Sequence, residues 1–312
     1  MHLKKQIITK DMIHDWKFWF KLIIGLSIMG LIIGTKISDM VSLMTASKQV
    51  EAILASSELK GISIDDIFNK VKEIATLKGF DEARSYMNWI SIVPNKIDGD
   101  NIGWLSSTSF GDFFINSFTY FTTLSNIAVG IWFLVAALKP QNEGIKGYIS
   151  LNSTIIVTTY ITITLIIYNG ILLPTSLMNG DYMSAFNWTT TVLEHMLFPL
   201  ALILYVALVM KPINTQKAKQ YIKKGWVKAI ILLLTYGILI LIRGEIRYQG
   251  NKPVDTQYPY FFLRVHEAKV VGLPGVAWFF IAVIAIAAIL IGFSTLYMHI
   301  LNTRENKIKR VH

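Results

Sequence analysis

The sequence contains no cysteine. That excludes disulfides, thiolate catalysis and any metal site built on cysteine. It is also short of charge: Asp, Glu, Lys and Arg make up 16% of 312 residues, against 53% hydrophobic residues. A soluble domain carries about 25% charged residues, so the shortfall points to a membrane protein. The mean hydropathy of +0.48 agrees. There is no phosphate-binding glycine loop, no His-Glu-x-x-His and no Gly-x-Ser-x-Gly, so the nucleotide, zinc-protease and hydrolase-elbow patterns are missing. No cofactor or metal is expected, and no internal repeat is visible. The net charge of +10 does not imply nucleic acid, because the lysines cluster in short loops between apolar runs.

What the sequence does hold is six apolar runs, roughly Phe18–Gly34, Phe113–Leu138, Tyr148–Leu172, Trp188–Val209, Trp226–Ile242 and Val276–Ile300. Each is near the ~20 residues that cross a bilayer. The first follows a mixed, basic leader with Lys4, Lys5, Lys10 and Lys17, and no small-residue cleavage site comes after it. It reads as an uncleaved span rather than a signal peptide. The third contains an eleven-residue Thr/Ile-rich stretch, Thr154–Thr164, that is strand-like by propensity. Helix is still expected there, because an isolated strand cannot satisfy its backbone in lipid.

The loops set the orientation. Loop 211–228 carries Lys211, Lys217, Lys219, Lys223, Lys224 and Lys228 and no acid. Loop 139–147 has Lys139 and Lys146, the C-terminal tail has Arg304, Lys307, Lys309 and Arg310, and loop 173–187 has neither Lys nor Arg. The positive-inside rule then puts both termini in the cytoplasm and residues 36–110 and 243–275 outside. The expected fold is an all-α, polytopic, multi-pass protein of the cell membrane, with the lipid bilayer as its partner. It comprises a tail and first span over 1–35, an extracytoplasmic helical insert over 36–110, a five-helix remainder over 111–302 and a basic tail over 303–312.

The insert is different material, with eight Lys/Arg and ten Asp/Glu between residues 36 and 110. Ser63-Ile-Asp-Asp66 resembles a helix start, apolar residues follow at helical spacing from Ile64 to Ala75, and Gly79 is placed to stop the helix. A second short helix is expected over Asp81–Ile92, ended before Pro94. The insert is either a decoration or a partner-binding cap, and nothing in it specifies a protein partner.

Two polar anomalies interrupt the apolar runs. Thr119, Thr122, Ser125 and Asn126 are spaced to share one face of a helix. Much later, Glu194 and His195 stand side by side in the fourth run. At ~1.5 Å per residue, Thr122 and His195 sit roughly 14 and 11 Å below the outer edge. If they meet, the His can take a proton from a hydroxyl attacking an acyl carbon. Ser125 or Asn126 could then orient the pair or donate to an oxyanion. Glu194 is about 100° away around the helix and faces another neighbour. The competing reading is packing: Thr and Ser in membrane helices commonly bond their own i−4 carbonyl or join helices. An intramembrane His is a functional candidate by default. Arg243 and Arg247 are expected to snorkel to the outer interface, and Met196 and Phe198 to be core. The aromatic loop Tyr258–Leu263 is either an interfacial belt or a lid over a lipid-sized pocket.

Tyr120-Phe-Thr-Thr-Leu-Ser-Asn126, His195 followed by Pro199, and Tyr258-Pro-Tyr-Phe-Phe262 before the last span together resemble a six-span membrane family. Its vertebrate members include the androgen-induced protein and ADTRP, and it has a bacterial branch. The resemblance covers about 110–300, and the 36–110 insert departs from it. It implies an integral membrane hydrolase in which a Thr and a His cleave lipid esters, notably fatty acid esters of hydroxy fatty acids. The nucleophile carries over to Thr122, with the adjacent Thr123 as the alternative, and the base carries over to His195.

Three function classes follow. The first is a lipid-ester hydrolase using Thr122 and His195. The second is a transporter or lipid-binding protein in which the polar stripe lines a pathway and Glu194/His195 handle protons. The third is a structural membrane protein that binds a partner through its insert.

Overall fold

The computed structural model describes residues 10–98, 101–178 and 184–311. The expected basic residues Lys4 and Lys5, and part of loop 173–187, lie outside these. The structure is 78% helical, and six helices are long and apolar enough to cross a membrane. They are α1 (Trp16–Leu54), α5 (Phe121–Leu138), α6 (Leu151–Met178), α7 (Ala185–Val209), α8 (Ala218–Gln249) and α9 (Gly275–Val311). Between α1 and α5 come α2 (Ile67–Leu77), α3 (Asp81–Tyr86), the strands β1 (Ile90–Asp98) and β2 (Asn101–Thr108), and α4 (Phe110–Ser117). The chain divides into two compact units. One holds Met1–Ile32, Tyr120–Leu241 and Tyr260–His312, and the other holds Ile33–Thr119 and Ile242–Pro259.

The first unit is a helical bundle around Ile28, Trp132, Phe133, Ile155, Leu202, Tyr205 and Met298. Lipid offers no hydrophobic gain between helices, so close approach and hydrogen bonds must join them. Both occur. A Cβ on Gly130 would come within 2.9 Å of the Met29 sulfur, and one on Gly25 would press on Leu134. A side chain at either glycine would force Met29 or Leu134 to shift where α1 and α5 meet. Trp132 Nε1 donates to Thr154 Oγ1 at 2.9 Å, and Thr162 and Tyr297 share a 2.6 Å hydrogen bond. Lys21, buried on α1, pairs with Glu143 at 2.8 Å, and the Tyr205 hydroxyl donates to the same carboxylate at 2.9 Å. The Thr-rich stretch is helix, and Thr158 and Thr162 bond back to the carbonyls of Thr154 and Thr158.

The second unit has its own core, including Leu43, Val50, Ile53, Val71, Ile74, Met87 and Trp104. Three expectations are corrected here. The first helix does not stop near Gly34. It runs to Leu54 because no proline or glycine interrupts residues 35–54, and Leu43, Ala46, Val50 and Ile53 continue a buried helical stripe. The insert is not wholly helical, so the chain is not all-α. The helix expected over Asp81–Ile92 ends at Tyr86, and an antiparallel hairpin follows. Pro94 does not precede a break but sits in β1 at a register shift, where a missing N–H is tolerated. Finally, Arg247 does not snorkel: it is buried, pairs with Asp112 at 2.8 Å, donates to Thr256 and lies over the Trp89 ring. Arg243 donates to the Gln257 carbonyl. The helix α2 starts after a turn in which Ser63 bonds Asp66, and Gly79 follows its end at φ +67°, the left-handed stop expected of glycine.

Candidate functional site

The polar stretch does not form one continuous helical face. The chain breaks over residues 118–120, and α5 begins at Phe121. Thr119 lies before the helix, with its hydroxyl on the Asn116 carbonyl at 2.7 Å. Thr122, Ser125 and Asn126 remain on α5, in its first two turns. The α5 N-terminus exposes N–H groups that have no intrahelical acceptor. One of these, on Phe121, donates to the Tyr260 hydroxyl at 2.7 Å. The Thr122 and Tyr236 side chains are hydrogen-bond neighbours of the same hydroxyl. Burial pushes the Tyr260 phenol up to about 12, so it keeps its proton at neutral pH.

This hydroxyl cluster borders a cavity of about 270 Å³. Its walls are mainly apolar stripes at helical spacing: Ile230, Leu233, Leu234, Gly237, Ile238 and Leu241 on α8, and Phe279 to Ala287 on α9. Thr122, Thr164, Tyr168, Tyr236 and Tyr260 are its polar members. Thr122 is in the wall and Thr123 is not. Phe262 and Leu263 of the aromatic loop also line it.

His195 is buried on α7, in a π-helical turn over Leu193–Leu197. Its Nδ1 lies 3.0 Å from the Thr191 carbonyl. A carbonyl can only accept, so Nδ1 carries the proton and Nε2 has the free lone pair. The ring stacks on Tyr168, with centroids 3.3 Å apart and planes 19° apart. Tyr168 opens a second π-helical turn, Tyr168–Leu172 in α6. Single π turns inside α-helices recur at functional sites.

Two asparagines hold the His195 turn in the same way. Asn126 Nδ2 donates to its own i−4 carbonyl, Thr122, and to the Glu194 carbonyl, at 3.0 Å each. Asn169 Nδ2 donates to the Leu165 carbonyl at 2.8 Å and the His195 carbonyl at 2.9 Å. One nitrogen thus touches the backbones of Thr122 and Glu194, so the two anomalous stretches meet. Their side chains do not join directly. Among the described residues no hydrogen bond links Thr122 to His195, and Tyr168, rather than His195, forms the cavity wall. Asn126 Oδ1 is buried without a hydrogen-bond partner among the described residues. Ser125 is engaged in packing, bonding Thr164 Oγ1 at 2.8 Å and the Thr122 carbonyl at 3.1 Å. Glu194 is half-buried. Phe198 is core as expected, but Met196 is 47% exposed.

Sequence reasoning missed Tyr168, Asn169, Tyr236 and the hydroxyl role of Tyr260. For Asn169 a signal was present: an amide inside an apolar run must find partners. Among the described residues no group of His, Asp and Glu could hold a metal ion. No protein-family model, curated protein or solved structure matches the chain.

Proposed function

We propose that this multi-pass protein resides in the cell membrane with both termini cytoplasmic and its insert outside, and that it cleaves lipid esters. In this reading the acyl group enters the cavity and Thr122 Oγ1 attacks its carbonyl carbon. The Thr122 proton passes to His195 Nε2. Tyr260, still protonated, donates to the developing oxyanion. The departing alcohol takes the proton back from His195, and water then releases the acid from Thr122. The observation that carries the reading is the Asn126 bridge, which ties the Thr122 backbone to the turn bearing His195 beside an apolar cavity with Thr122 in its wall. The resemblance to the androgen-induced protein and ADTRP family points the same way.

The test is labelling of the purified, detergent-solubilised protein with a fluorophosphonate probe. Wild type and Thr123→Ala should label, while Thr122→Ala and His195→Ala should not, with all four eluting as folded protein. Labelling that survives Thr122→Ala would sink the assignment.

A second reading, lipid binding without chemistry, is favoured by one observation: Tyr168 stands in the wall where a base would be wanted, and no hydrogen bond joins Thr122 to His195. Under it no variant labels, yet a lipid probe still binds. The transport reading differs again, because Glu194→Gln would then be the most damaging change.

A further inference from the structure

The cavity has a wall that is also the outer surface of the protein. On α8, Leu234 and Ile238 line it and are 53% and 56% exposed. On α9, Val283 lines it and is 44% exposed. In a membrane-spanning helix such surface faces hydrocarbon. Further along, Ala229 of α8 and Leu290 of α9 join Ile163 of α6 in a buried cluster, with Ile230 and Ile286 packed against it. Beside the cavity, small residues stand among the larger lining ones: Gly237 on α8, Ala282 and Ala287 on α9. A Cβ built on Gly237 meets nothing within 4 Å. Gly237 is therefore not required for helix contact. It lies one helical turn from both Leu233 and Leu241 on the lining stripe, and its missing side chain leaves space.

We infer that the gap between α8 and α9 at Gly237 is a lateral portal, through which a single hydrocarbon chain slides from the bilayer into the cavity. Gly237 is the specificity-determining residue of that portal. The occupant follows from the walls and the size. Apolar lining continuous with hydrocarbon-facing surface admits an alkyl chain without exposing it to water. About 270 Å³ falls just below the ~300–1,000 Å³ of ordinary ligand pockets, which favours one chain over a two-chain lipid. This inference rests on the proposed function only in placing a lipid in the cavity; it does not depend on cleavage.

The test uses the full chain in lipid nanodiscs with a long-chain diazirine fatty acid, crosslinks being mapped by mass spectrometry. The bulk-lipid reference is set by Leu239 and Ile284, which are 61% and 70% exposed and outside the lining. Wild type should crosslink at Leu234, Ile238 and Val283 well above that reference. Gly237→Phe should lower those crosslinks at least tenfold and leave Leu239 and Ile284 unchanged, and Ala282→Phe should do the same from the opposite wall. Gly237→Ala should retain most of the signal. Cavity crosslinks that persist in both Phe variants would overturn the portal, and entry past Tyr260 and Leu263 would replace it. Absence of crosslinks above the reference in wild type would remove the portal and the lipid reading together. Fluorophosphonate labelling of Thr122 in the same samples separates the two ideas. If crosslinks obey Gly237 while Thr122 does not label, the portal stands and the hydrolase falls.

Discussion

Replacing Asn126 with leucine separates positioning from stability, because the structure gives each a different magnitude. The amide donates two hydrogen bonds, to the Thr122 and Glu194 carbonyls. The bond to Glu194 is interhelical, and such bonds in membrane proteins average about 0.6 kcal/mol; with the bond to Thr122 in its own helix, the loss is worth about 1 kcal/mol. The Thr122 carbonyl still accepts from Ser125, but the Glu194 carbonyl loses its donor, because the Phe198 N–H bonds Leu193 and Pro199 has no N–H, at a cost of about 1–3 kcal/mol. Removing the buried, partnerless Oδ1 works in the opposite direction, by about 1–3 kcal/mol. Leucine has the same number of side-chain heavy atoms but a larger volume, so crowding adds about 1–3 kcal/mol. The opposing terms leave a net loss of about 1–4 kcal/mol. Positioning is another matter. The turn bearing His195 loses its tie to α5, and a misplacement of about 1 Å lowers reactivity on the order of 10²-fold. The assay pairs unfolding of the detergent-solubilised protein with the rate of fluorophosphonate labelling. A loss of a few kcal/mol at most, by these terms, with labelling slowed by that order is expected. An unchanged labelling rate would refute the positioning role. A stability loss above about 4 kcal/mol would refute the arithmetic, because it exceeds the net of the terms above.

Two further predictions concern the bundle. Glu143→Gln leaves the buried Lys21 ammonium without its carboxylate and should destabilise by about 3–5 kcal/mol, whereas Lys21→Met combined with Glu143→Gln should recover most of that loss. Unfolding of the two variants checks it, and equal losses would mean that water reaches the pair. Gly130→Leu drives side-chain atoms into Met29 and Ile28 and should cost about 1–3 kcal/mol through overpacking. The same unfolding measurement on Gly34→Leu, where a Cβ meets nothing within 4 Å, serves as the control and should show little change.

The membrane spans were legible because hydrocarbon imposes one rule on every residue it touches. Length and apolar content suffice to find all six helices, even through the β-branched Thr154–Thr164 stretch. The insert was less legible because water imposes no such rule. At residue 36 the composition changes, yet α1 continues to Leu54, since helix continuity depends on breakers and a buried stripe, and composition alone decides neither. Pro94 misled for a related reason. A proline forbids continued helix, but it does not say what replaces it. The apolar Ile90 and Ile92, and Ile102 and Trp104 on the second strand, alternate as strands do, and the hairpin sets Ile92 opposite Ser106 and Trp104 opposite Pro94.

The site was half legible, and the division falls between side chains and backbone. Thr122 and His195 stood out because polar groups in lipid are conspicuous wherever they lie. What brings them together did not stand out. A π turn adds one residue to a helical turn and rotates everything after it by roughly 100°, so depth counted along a regular helix cannot say which way His195 faces. The turn's one residue signal is Pro199, which offers no N–H to the His195 carbonyl, and the partners that hold the turn instead lie on neighbouring helices. Here those partners are Asn126 and Asn169, each bonding its own helix and the same turn of α7. Read singly, each asparagine is an ordinary amide satisfying itself within its helix. Read together they form two struts from α5 and α6 onto the backbone of Glu194 and His195, with Tyr168 stacked across the ring between them. The orientation of His195 is therefore a property of three helices, and a change in how α5 or α6 packs against α7 reaches the imidazole without any substitution in the α7 turn itself.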